Sequence, residues 1–91
     1  MTQAPEIYDN LPYGMKADIW SLGVVFYQMI YGKYPYFGAT EQMIYEQSKK
    51  PPSFSGVNIS DITKDFIERC LTFDPEKRIS WQELYEHKLL N

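Results

Sequence analysis

The side chains best suited to base or nucleophile chemistry are few: one histidine, His87, and one cysteine, Cys70. A histidine base needs a nucleophile to activate and an acid to orient it, and no such pair can be read around His87. It reads instead as a solvated residue near a helix end, where its positive form would suit the dipole. Cys70 falls on an apolar face with Phe66 and Ile67 and reads as a small core residue. A lone cysteine excludes an internal disulfide, and no Cys/His cluster is present to hold zinc. Glu41, Glu46, Asp61 and Asp65 are scattered along predicted helices and read as solvated faces, not as a paired-carboxylate site. The glycines, at 14, 23, 32, 38 and 56, nowhere cluster into a loop that could cradle phosphates.

Four helical segments carry these residues. The first follows the turn-like Asn10-Leu-Pro-Tyr-Gly14 and runs from about Lys16 to Tyr31, with Gly32 as its stop. Its residues from Ile19 onward are apolar around the whole circumference, which predicts burial on all sides. A second helix begins after Thr40, whose hydroxyl caps the free N–H groups, with Glu41 in the first turn. Met43, Ile44 and Gln47 are expected to face inward, and Pro51-Pro52 ends the segment. The third is capped by Ser60 with Asp61 in its first turn, and Ile62, Phe66, Ile67, Cys70 and Leu71 form one apolar face. Ser80-Trp-Gln-Glu83 is a capping box that opens the fourth, in which Trp81, Leu84 and Tyr85 share a face. No segment alternates with period two, so the predicted fold class is all-α.

Composition narrows the function classes. Hydrophobic residues make up 44% and aromatics 16%, enough for a packed core and against disorder. Nine basic against twelve acidic residues, with no basic run beyond Lys49-Lys50, argue against a nucleic-acid partner and against an anionic membrane. No secretory signal opens the sequence, and the most apolar window, Ile19 to Tyr31, is too short to span a bilayer. A cytoplasmic location is therefore expected.

Several short motifs follow one another in a telling order. Ala4-Pro5-Glu6 is followed by Asp18-Ile-Trp-Ser-Leu-Gly23, then Val24-Val-Phe-Tyr-Gln-Met-Ile-Tyr-Gly32 and Pro35-Tyr-Phe37. Cys70-Leu-Thr-Phe-Asp-Pro-Glu-Lys-Arg78 closes the series. In this order and spacing they resemble the eukaryotic protein kinase family, among whose signatures Ala-Pro-Glu belongs. The resemblance covers essentially residues 1–91, from the end of the activation segment to the last helices of the large lobe. It implies a partial kinase domain, an all-α C-terminal subdomain built around one buried central helix.

The resemblance also implies roles. Glu6 would pair with Arg78 and pin the end of the activation segment to the C-terminal helices. Asp18 would accept hydrogen bonds from the catalytic loop, and Trp20 would pack beneath Ala4-Pro5-Glu6. Val25 and Met29 would support the hydrophobic spine of the lobe. Arg69-Cys70-Leu71 and Ile79 favour the serine/threonine branch over the tyrosine branch. Gln28, at a position where kinases that prefer basic residues often carry an acid, is neutral. Gln3 departs from the apolar residue usual in the family, and Tyr36 from the Phe of many serine/threonine kinases.

Phosphoryl transfer needs a glycine-rich loop, a lysine paired with an acid, a catalytic aspartate and metal-binding Asp and Asn. Neither His-Arg-Asp nor Asp-Phe-Gly occurs in the sequence. The expectation is that these residues contain no catalytic, cofactor-binding or metal-binding residue, with ATP and Mg implied for a longer parent domain. The partners expected are the upstream part of that domain and a protein substrate or docking partner. The alternative is a non-catalytic, kinase-derived interaction module. Because the central helix lacks its upstream neighbours here, residues 1–91 alone are expected to expose an apolar patch and self-associate or stay partly molten.

Overall fold

The computed structural model describes Ala4, Pro5 and residues 14–90. The described elements are four helices: α1 (Met15–Tyr31), α2 (Glu41–Ser48), α3 (Asp61–Cys70) and α4 (Trp81–Tyr85). No strand occurs among the described residues, and the all-α expectation stands.

Local chemistry sets the ends of these helices. Thr40, Ser60 and Ser80 each accept a backbone N–H from three residues on, of Met43, Thr63 and Glu83. Glu83 returns the bond to the Ser80 N–H at 3.1 Å and completes the capping box. Gly32 closes α1 in the left-handed region at φ 72°, its N–H donating to the Gln28 carbonyl. A side chain at that φ would be strained.

The core lies where α1 crosses α3. Ile19, Trp20, Val24 and Tyr27 of α1 are buried, as are Phe66, Ile67 and Cys70 of α3. Gly23 lets the two helices approach: a Cβ there would stand 2.6 Å from the Cys70 Cβ. Ile19, Phe66 and Cys70 form one cluster with Ile79 and Leu84, which brings α4 onto the same core. Burial pushes the Cys70 thiol up to about 12, so it acts as a packed hydrophobe.

The prediction that α1 is buried all round fails on one side. Val25 is 43% exposed and Met29 79% exposed, because α3 and α4 cover only the opposite face. On α2 the inward side is Ile44 and Ser48, one turn apart, while Met43 lies half exposed about 100° round the helix. Ile62 sits in the first turn of α3 and stays 45% exposed. Tyr85 likewise points to solvent while Leu84 is buried.

Three tyrosines tie the segment between α2 and α3 to the core. The hydroxyls of Tyr27, Tyr31 and Tyr36 donate to the carbonyls of Ser53, Phe54 and Lys50, at 2.5, 2.9 and 3.1 Å. The Tyr27 and Tyr31 rings, one helical turn apart, stack at 4.4 Å. Burial raises the pKa of Tyr36 far above its ordinary value, so its hydroxyl remains a donor.

Candidate functional site

The densest polar arrangement lies where the first turn of α1 meets the turn between α3 and α4. Arg78 follows Asp74-Pro75-Glu76-Lys77, a turn closed by bonds from the Lys77 and Arg78 N–H groups to the Asp74 carbonyl, both 3.0 Å. That turn aims the Arg78 side chain inward, where it is only 2% exposed. A buried guanidinium must spend its donors. Nε donates to the Thr72 carbonyl at 2.8 Å, Nη2 to the Phe73 carbonyl at 3.1 Å and Nη1 to the Lys16 carbonyl at 2.7 Å. The guanidinium carbon stands 4.9 Å from the Trp20 ring, a cation–π distance.

Trp20 links this arginine to the Ala4–Pro5 segment. Ala4 is fully buried in the same apolar cluster as Trp20, Val24, Tyr36, Ile67 and Leu71. Pro5 and Trp20 line one small crevice together with Tyr36 and Ser48. The Trp20 and Tyr36 rings stack with centroids 5.8 Å apart. The structure thus brings Arg78, Trp20 and the first two residues of Ala4-Pro5-Glu6 into one locality.

The remaining predicted residues are less gathered. Glu6 lies outside the described residues. Asp18, in the first turn of α1, is exposed and makes no hydrogen bond or ion pair among them. Val25 and Met29 lie together on the open face of α1.

Two arrangements escaped the reading of the sequence. His87 is not solvated: its side chain is 9% exposed and its Nε2 lies 2.7 Å from Asp65 Oδ2. Nδ1 accepts the Leu89 N–H at 3.0 Å, so Nε2 carries the proton toward Asp65. Arg69 Nε donates to the same carboxylate oxygen at 2.8 Å. The His87 bond foremost, then those of Arg69, hold the Asp65 carboxyl below its usual range. No local pattern announces a pair 22 residues apart. The second is Lys16, whose Nζ donates to the carbonyls of Pro75 at 2.9 Å and Arg78 at 2.7 Å.

The described residues offer no carboxylate–histidine group that could hold a metal ion. A groove of about 510 Å³ between the end of α2 and the end of α3 is lined by Asp65, Glu68 and Asp74 together with Lys49, Arg69 and Lys77. The positive-φ glycines, Gly32 and Gly56, stand at a helix end and in a loop, not in a phosphate-binding turn. No described helix is long and apolar enough to cross a membrane.

Comparison with known proteins agrees with this geometry. The family model described as "Protein kinase domain" matches residues 3–90. Calcium-dependent protein kinase 3 of Plasmodium yoelii yoelii is 41% identical over 88 residues, covering 92% of this chain and 16% of that protein. Serine/threonine-protein kinase PAK 4 of Homo sapiens is 37% identical over 90 residues, covering 96% and 15%. The crystal structure of the Rad53 kinase domain and SCD2 in complex with AMPPNP superposes with a TM-score of 0.83 at 28% identity. It matches 99% of this chain and 38% of that one. The chain therefore spans about a sixth of the length of these two relatives. It belongs to the eukaryotic protein kinase family, on its serine/threonine side, and forms the helical C-terminal part of that domain.

Proposed function

We propose that these residues are the structural floor of a serine/threonine protein kinase that transfers the ATP γ-phosphoryl group to protein hydroxyls. Residues 1–91 are inactive alone. The observation that carries the reading is the Arg78–Trp20 pair with Ala4–Pro5 packed into the same cluster. A guanidinium fixed by three carbonyls and an aromatic face is a rigid cationic post, and Glu6, next in sequence to Pro5, is the carboxylate to meet it. That junction holds the end of the activation segment on the lobe. Asp18 steadies the catalytic loop from the first turn of α1, and the open Val25–Met29 face receives the upstream part of the domain. The exposed side of α2 is a docking surface for protein partners. Mg-ATP binds residues outside 1–91, and the protein works in the cytoplasm.

The test compares the full natural chain with residues 1–91, each incubated with Mg-ATP and serine- and threonine-containing peptides. Phosphopeptide is expected from the full chain only. Transfer by residues 1–91 would overturn the assignment of chemistry to other parts. A full natural chain that binds partners but transfers no phosphate would instead support the non-catalytic alternative.

A further inference from the structure

The arginine post has a second cation built into it. Lys16 and Arg78 exchange side chain for backbone: Lys16 Nζ donates to the Arg78 carbonyl at 2.7 Å, and Arg78 Nη1 donates to the Lys16 carbonyl at 2.7 Å. Lys16 also takes the Pro75 carbonyl at 2.9 Å. These are short, charge-assisted bonds, and they join residues 59 and 62 apart in sequence. Both cations stand at the first turn of α1, the end where the helix dipole disfavours positive charge. The carbonyls of residues 72, 73, 75 and 78 offset that cost by turning their negative ends inward.

The division of labour is visible in the bonds. The Thr72, Phe73 and Lys16 carbonyls aim the guanidinium. Lys16 in turn holds the backbone from which that side chain springs, at both Pro75 and Arg78. The guanidinium then lies on Trp20, whose cluster buries Ala4.

We infer that Lys16 is a positioning residue: its ammonium sets the Arg78 post and, through Trp20, the seat of the Ala4–Pro5 segment. This rests on the proposed anchoring of that segment by Arg78, and the experiment separates the two.

Hydrogen exchange of the full natural chain is read by mass spectrometry in three peptides, covering residues 1–8, 61–70 and 72–79. Lys16→Met keeps an unbranched stem and removes the donors. It is expected to speed exchange in both 1–8 and 72–79 by roughly five- to thirty-fold while leaving 61–70 unchanged. Lys16→Arg, which keeps donors on a comparable stem, is expected to restore most of the protection. If Lys16→Met loosens 72–79 alone while Arg78→Met loosens 1–8, Lys16 is only a staple of its own turn and the inference is overturned. If Arg78→Met leaves 1–8 unchanged, the anchoring itself fails and takes the inference with it.

Discussion

The two long faces of α1 are made of similar residues and live in different surroundings. On one face Ile19, Trp20, Val24 and Tyr27 are buried against α3, α4 and the Ala4 segment. On the other, Val25 and Met29 are exposed, and Met15 at the helix start is 69% exposed. Hydrophobicity alone does not distinguish them, because an apolar side chain records that a partner is wanted, not where the partner lies in the chain. Geometry separates them. The covered face has Gly23 at its crossing point and an arginine stacked on its tryptophan. Among the described residues, the open face carries no glycine crossing point and no stacked arginine.

The largest effect is expected at the polar end of the covered face. Arg78→Met removes three carbonyl bonds and the contact with Trp20. It leaves the carbonyls of Thr72, Phe73 and Lys16 without that donor. A loss of about 3–5 kcal/mol is expected in urea unfolding of the full natural chain. A loss under about 1 kcal/mol would mean that the guanidinium is solvated in solution and that the two faces differ less than their burial implies.

Next comes the helix crossing. Gly23→Ala places a methyl 2.6 Å from the Cys70 Cβ and 3.1 Å from Leu71 Cδ2. The Cys70 Cβ is fixed to the α3 backbone, so relief of that contact requires the helices to part, while the Leu71 side chain can turn aside. About 1–3 kcal/mol of destabilisation is expected, measured by the same unfolding. A neutral result would show that the crossing is looser than the sealed face demands.

Much of this contrast was legible in the sequence, and the illegible part follows a rule. Caps at Thr40, Ser60 and Ser80, the Gly32 stop and the Phe66–Ile67–Cys70 face were readable because each is decided within a few residues. Trp20 and Arg78 were reached through motif order. What periodicity cannot report is pairing across long separations: His87 with Asp65, Lys16 with the 75–78 carbonyls, and three tyrosine hydroxyls with the 50–54 backbone. Met43 and Ile62 were misplaced for the reverse reason. Apolar type does not fix burial, because large apolar side chains are often left on surfaces.

A smaller effect is expected on acidification, and it belongs to the covered side. Hydrogen bonds from His87 and Arg69 depress the Asp65 carboxyl, and the Ser80 backbone and hydroxyl depress that of Glu83. Their folded values lie below the ordinary 3.8 and 4.5. The stability they contribute is therefore present in full above those ordinary values and is lost as pH falls through the folded ones. Melting temperature should decline gently below about pH 4.5. Asp65→Asn and Glu83→Gln should each flatten the decline. An unchanged slope in both variants would assign the acid loss to other carboxylates.

Within residues 1–91 the smallest effect is expected on the open face, and it is the most discriminating. Within residues 1–91, Met29→Gln exchanges one solvent-facing side chain for another, because Met29 is 79% exposed. Unfolding free energy should move by no more than about 0.5 kcal/mol, while self-association, read by sedimentation, should weaken as the apolar patch shrinks. In the full natural chain the same substitution should cost about 1–3 kcal/mol, as expected when a polar amide replaces a methionine that has acquired apolar partners. Equal, negligible effects in both would mean that nothing covers Val25 and Met29 even in the whole protein. The two faces would then differ by nature and not by which neighbours are present.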